Sequence, residues 1–187
     1  VMYANNEIGT IQPIQEISRG LKEWKNKNSK EGHTPYFHTD ASQAGLYLSL
    51  NVQKLGVDLL TLDGIKMYGP RGTGILFIKS FVEIKPIFFG GGQERGLRSG
   101  TENVSSIVGV AEALEIAEEM KEKESSRLTE IRDYAINEIR KNFKNATLNG
   151  SEQKRLPNNI NFCFPGLDAE FAVIQIDVLG ISASYSS

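Results

Sequence analysis

Along residues 13 to about 27, Ile14, Ile17, Leu21 and Trp24 recur at three- and four-residue steps, while Glu16, Lys22, Glu23 and Lys25 fill the other side. That spacing, opened by Pro13, predicts an amphipathic helix laid on a sheet. Before it, residues 1–4 read as the end of a strand, and Asn5-Asn6-Glu7-Ile8-Gly9 as a polar loop at its carboxyl side. A polar loop over residues 26–35 leads to a short strand at Tyr36-Phe37-His38-Thr39, which ends in Asp40-Ala41-Ser42-Gln43. The run Val57-Asp58-Leu59-Leu60-Thr61-Leu62 is apolar enough for a parallel strand covered on both faces. Residues 74–79 form a further strand. Strand and helix alternate, which predicts the α/β class with a mostly parallel sheet and flanking helices.

Residues 90–101 change character, holding five glycines and two arginines without periodicity, as a functional or mobile loop does. The stripe Val104, Ile107, Val108, Ala111, Leu114 and Ala117 then predicts a long helix with a charged, solvated end at 118–124. A second helix carries Leu128, Ile131, Ala135, Ile139 and Phe143. Past a short apolar piece ending at Asn149-Gly150, a strand is expected over 159–164, and a helix over 168–178 that Gly180 stops. Composition shifts after Glu124. Two parts are therefore expected, residues 1–123 as a large α/β part with its connecting helix and 124–187 as the start of a smaller α+β domain.

Composition narrows the classes. Hydrophobic residues make up 40% and charged residues 24% of the 187, as in an ordinary globular protein, and no apolar run approaches the roughly 20 residues of a spanning helix. A net charge of −2 gives no basic footprint for nucleic acid. The single cysteine, Cys163, leaves no internal disulfide and no multi-cysteine metal site within this chain. With no secretory signal visible at the start, a reducing, cytoplasmic setting is expected.

Candidate chemistry centres on Lys66, within Asp63-Gly64-Ile65-Lys66-Met67-Tyr68-Gly69-Pro70-Arg71-Gly72-Thr73-Gly74, where an apolar strand runs out into glycine-bracketed chain. Ligands collect at the carboxyl ends of strands in open α/β sheets. A lysine there can condense with a carbonyl, and pyridoxal phosphate is the commonest carbonyl partner of such a lysine. A solvated lysine in a turn is the plainer use of the same motif. Asp40 ends the preceding strand, so both side chains can meet over one ligand, the aspartate keeping a pyridine nitrogen protonated. Asp40 also suits helix N-capping, and both uses are compatible. Gln43 can donate to a phenolic oxygen, while His38 is expected to be a packed histidine. The glycines of 90–101, with Arg95, Arg98 and Thr101, offer N–H groups, charge and a hydroxyl to a phosphate, or simply a surface loop. No Gly-x-x-x-x-Gly-Lys-Ser/Thr and no complete Gly-x-Gly-x-x-Gly opens a helix.

Taken in order, Asn-Asn-Glu-Ile-Gly, His-Thr-Asp-Ala-Ser-Gln, Gly-Ile-Lys-Met-Tyr-Gly-Pro-Arg-Gly and Gly-Gly-Gly-Gln-Glu-Arg-Gly-Leu-Arg-Ser-Gly-Thr-Glu-Asn resemble the cysteine desulfurase family within the class V aminotransferases, over nearly the whole chain. The Arg-Ser-Gly-Thr stretch is similar to the branch that feeds iron–sulfur cluster assembly. The resemblance implies part of the large domain of a pyridoxal-phosphate transferase of fold type I. Its activity would take sulfur from L-cysteine, leave L-alanine, and pass an enzyme-bound persulfide to a sulfur acceptor or scaffold protein. By the same resemblance Lys66 carries the cofactor, Asp40 faces the pyridinium nitrogen, and Asn6 and Gln43 are the amides near the ring oxygen and the substrate carboxylate. Thr101 reaches the cofactor phosphate of a partner subunit, which requires a homodimer.

Two departures fall in the lysine motif. The family has a small hydroxyl residue and then Gly-His before the lysine, where this chain has Asp63 and Ile65. A carboxylate in place of the hydroxyl repels a phosphate dianion unless it turns away or is protonated. Family members also extend upstream of Val1, with a phosphate loop and a ring-stacking histidine, and hold their acceptor cysteine in a serine-rich loop that residues 180–187 resemble the approach to. A piece of a longer protein is expected, with that cysteine beyond Ser187 and with an exposed sheet edge and apolar face that make the piece alone inactive and poorly soluble. Cys163, in an apolar strand, is expected to be an inert small hydrophobe. Two other functions use the same residues, another class V activity such as selenocysteine lyase and an inactive scaffold or dimerisation paralogue.

Overall fold

The computed structural model describes residues 1–28 and 35–185; residues 29–34 of the expected polar loop, and the last two residues of the serine-rich stretch, lie outside them. Helix α1 (Ile14–Asn28) follows Pro13 as the apolar spacing predicts, burying Ile14 fully and Ile17 and Leu21 partly. Trp24 departs from the expected stripe and stands exposed near the helix end.

A three-stranded sheet has the order β1 (His38–Asp40), β2 (Leu59–Asp63), β3 (Gly74–Ile78). β1 and β2 are parallel, with Asp40 opposite Thr61, and Met2 adds a parallel bridge to Asp40, so two of three pairings are parallel. β3 runs antiparallel to β2. The ten residues between them, 64–73, hold no crossover helix, and a parallel return needs a dozen or more. Thr39, Leu60 and Leu62 are buried on one face, whereas Leu59 and Thr61 on the other are only half-buried. β2 is thus covered on one face rather than both. The core joins Tyr3, Ile14, Phe37, Leu55, Val57, Leu60, Leu62, Met67 and Val110. Leu55 comes from α2 (Val52–Leu55), capped by the Asn51 side chain and ended by left-handed Gly56.

Asp58 ties these layers together. Its carboxylate accepts the Phe37 N–H at 2.9 Å and pairs with Lys25 at 3.3 Å and Lys79 at 3.1 Å. Burial pushes this carboxyl up, but the Phe37 N–H, Lys79 and Lys25 together outweigh it and hold the group below the ordinary aspartate value. A carboxyl lowered on folding stabilises the fold above its unfolded value, near 3.8, and this contribution is lost as pH falls through the folded value. Asp58→Ala is expected to cost about 1–3 kcal/mol at pH 7 by leaving a buried N–H unpaired, and to flatten the acid limb of stability. Urea unfolding from pH 3 to 7 checks both, and an unchanged acid limb would contradict the assignment.

α3 (Val104–Asn142) is one continuous helix of 39 residues, where two helices were expected. No glycine or proline falls between residues 110 and 142, and the charged stretch is bridged by Lys121–Glu118 and Arg127–Glu124 pairs three residues apart. The boundary expected at 123/124 lies inside it. Of the expected strand at 159–164 only β5 (Phe162–Cys163) forms, antiparallel to β4 (Thr147–Leu148). α4 (Ala169–Val178) is capped by Asp168, whose side chain accepts the Phe171 N–H. Among the described residues no helix is long and apolar enough to cross a membrane.

Candidate active site

Asp40 ends β1, Lys66 follows the carboxyl end of β2, and Asn6 follows the segment that Met2 bridges to Asp40, so all three lie toward the carboxyl ends of the parallel-paired segments. Lys66 sits in a 3-10 turn, Gly64–Met67, at the end of β2. Asp63 caps this turn, its carboxylate oxygen accepting the Ile65 N–H at 3.2 Å. The Asp63 carboxylate is thereby spent on the turn's own Ile65 N–H, where a negative charge is favoured. Tyr68 closes the turn in the left-handed region at φ 62, 87% exposed. The Gly69 N–H then donates to the Gly64 carbonyl at 2.9 Å.

Close approach fixes this turn from two sides. A Cβ on Gly64 would lie 2.7 Å from the Thr73 carbonyl oxygen and 3.0 Å from Val110 of α3, and one on Gly109 would lie 2.6 Å from Pro70. Helix α3 therefore grips the lysine turn through glycines. On the other side Met67, 2% exposed, fills the space over Gly45, where a Cβ would meet its sulfur at 2.6 Å. Gly45 belongs to the turn that begins at Asp40, so one side chain links the two chemical positions.

Asp40 is half-buried and accepts the Ser42 N–H at 3.0 Å through one oxygen; residues 42–47 form a turn and not a helix, so this bond closes a turn instead of the expected helix cap. Gln43, in the same turn, is half-buried. Lys66 is exposed, and among the described residues neither its ammonium nor the amides of Asn6 and Gln43 have a hydrogen-bond or ionic partner. Asn5, by contrast, is used up locally, its side-chain oxygen accepting the N–H groups of Glu7 and Ile8 at 2.9 Å each. His38 is not packed. Its Nε2 lies 2.7 Å from the Thr61 hydroxyl on the open face of the sheet.

The 90–101 loop is organised around Gln93, whose side-chain oxygen accepts the Gly100 N–H at 3.3 Å. Arg98 lies over the Phe88 ring at 4.4 Å and donates to the Ser99 carbonyl. Thr101 is exposed just ahead of α3, and no hydrogen bond joins it to the other four candidates. Cys163 is exposed, not buried as expected, because β5 is half of a two-stranded ribbon.

A group that sequence reasoning missed surrounds the 5–9 loop. Asn159 donates to the carbonyls of Glu7 at 2.8 Å and Asn6 at 3.3 Å, and Asn161 to that of Glu7 at 3.1 Å. Buried Arg155 donates to the Asn159 side-chain oxygen at 2.8 Å. The only local sign is the polar run Pro157-Asn158-Asn159, which names no partner some 150 residues away.

The donor set fits pyridoxal phosphate: an unengaged amine at Lys66, a carboxylate at the neighbouring strand end, amides of Asn6 and Gln43 without partners among the described residues, and an Asp63 carboxylate already committed to a cap. The family model described as "Aminotransferase class-V" matches residues 1–184. "Cysteine desulfurase IscS" of Dictyoglomus turgidum is 46% identical over 187 residues, covering 100% of this chain and 45% of the relative. "Cysteine desulfurase IscS 1" of Archaeoglobus fulgidus is 42% identical over 187 residues and 46% of its length. Among solved structures, a "NIFS-like protein" superposes with a TM-score of 0.88 at 36% identity over 99% of this chain and 48% of that one. The NifS-like protein from Rickettsia africae gives 0.87 at 30% identity, over 100% of this chain and 49% of its own. The chain spans about half the length of the curated relatives it matches.

Proposed function

The chain belongs to the class-V aminotransferase family, and from that premise we propose that it is part of a pyridoxal-phosphate-dependent cysteine desulfurase. The observation that carries this is Lys66, unengaged in a glycine-gripped turn at the end of β2, with Asp40 at the end of the strand paired to it. The relatives' printed names supply the substrate.

In this reading pyridoxal phosphate, when bound, supplies an electron sink for charge developing at the substrate α-carbon. Lys66 would hold the cofactor, and its amine would carry the α-proton of L-cysteine. Asp40, one of whose oxygens is held by the Ser42 N–H, would keep the pyridine nitrogen protonated. Asn6 and Gln43 donate amide hydrogens to the ring oxygen and the substrate carboxylate. Thr101, which no hydrogen bond joins to them within one chain, would donate to the phosphate in a homodimer. The thiolate of a cysteine other than Cys163 bonds to the substrate sulfur as the substrate Cβ–S bond breaks and Cβ gains a proton, giving L-alanine and a persulfide for onward transfer in the cytoplasm to a sulfur acceptor or scaffold protein.

Incubating the purified full-length protein with cofactor, L-cysteine and a thiol reductant is expected to yield alanine and sulfide in equal amounts. Turnover of L-selenocysteine alone would favour a lyase, and turnover of neither would favour an inactive scaffold.

A further inference from the structure

Asn6 stands at the edge of the site but is held from outside it. The 5–9 loop folds on Asn5, and its Asn6 and Glu7 carbonyls accept bonds from residues 159 and 161. There each amide has a fixed orientation. The Asn159 oxygen is occupied by Arg155, so its NH2 faces Glu7 and Asn6; the Asn161 oxygen is occupied by Asn149 at 2.8 Å, so its NH2 faces Glu7. Arg155, 4% exposed, is anchored in turn by the carbonyls of Ser151 and Asn149. Backbone bonds from Leu156 to the Gly9 carbonyl and from Ile11 to that of Lys154, both 2.8 Å, close the two segments together. The approach is tight enough that a Cβ on Gly9 would lie 2.5 Å from the Asn159 amide oxygen.

Resting on the function proposed above, we infer that Arg155, Asn159 and Asn161 are positioning residues that set the Asn6 amide at the Lys66 site through the 5–9 main chain. Arg155 fixes which way Asn159 faces, and Asn159 fixes the peptide that carries Asn6. None of the three touches substrate.

A double-mutant cycle in the full-length holoenzyme tests this. Asn159→Asp keeps an acceptor for Arg155 and replaces the donating NH2 by an oxygen that repels the loop carbonyls. KM for L-cysteine is expected to rise about tenfold with kcat within about threefold, the scale of losing one or two hydrogen bonds. The pH midpoint of the bound cofactor's visible absorption is expected to shift. Asn6→Ala should do the same, and adding Asn159→Asp to it should change neither readout further, since residues acting as one unit are not additive. Additive effects, or an Asn159→Asp variant like wild type, would overturn the inference. If Asn159→Asp fails to fold, Asn161→Asp, which breaks a single bond to the loop, carries the same cycle. A wild type that binds cofactor but makes no alanine would sink the substrate reading alone, and the absorption midpoint would still decide the clamp. A wild type that binds no cofactor would overturn both.

Discussion

Lys66→Ala is expected to abolish the visible absorption of bound cofactor in the full-length protein and to lower alanine formation from L-cysteine by about 10²–10⁴-fold or more, the loss of a positioned proton carrier alone. The reason is local and covalent. Lys66 follows β2 in a turn whose backbone is gripped by α3 and whose cap is Asp63, and Asp40 ends the strand paired to β2. Lys66→Arg keeps the charge but cannot condense with a carbonyl, so it should lose the absorption equally. Circular dichroism of both variants should match wild type, since the ammonium has no partner among the described residues to lose. A variant that retained the absorption would move the chemistry to another lysine.

The second large effect is expected on stability. Met67→Ala removes a side chain 2% exposed from between the lysine turn and the Asp40 turn, and should cost about 2–5 kcal/mol in urea unfolding at pH 7. Gly45 offers no side chain to collapse into the space, which argues for the upper part of that range. Because the same atoms set Lys66 relative to Asp40, cofactor should also bind less tightly. A loss under about 1 kcal/mol would show that the two turns are held independently of Met67.

What could be seen in the sequence was what local pattern encodes. The ends of β1 and β2, the α1 stripe and the glycine-bracketed lysine turn are each written within a dozen residues, so the strand-end positions of Asp40 and Lys66 are legible in the sequence. Three features escaped for physical reasons. Charged residues 118–124 read as a helix end, but pairs three residues apart carry α3 straight through. β3 reads as one more strand of a mostly parallel sheet, yet the segment before it is too short for a crossover and it pairs antiparallel. The Arg155 clamp joins positions some 150 residues apart, and a polar run has no periodicity that names its partner. His38 shows the limit of composition, as its pairing with Thr61 depends on a sheet face that stays open.

Borohydride reduction of the full-length holoenzyme followed by peptide mapping tests most directly whether the cofactor is carried at the end of β2. The pyridoxyl group is expected on Lys66, in the peptide containing Asp63-Gly64-Ile65-Lys66. Its recovery on any other lysine, or on none, would contradict the assignment of the site.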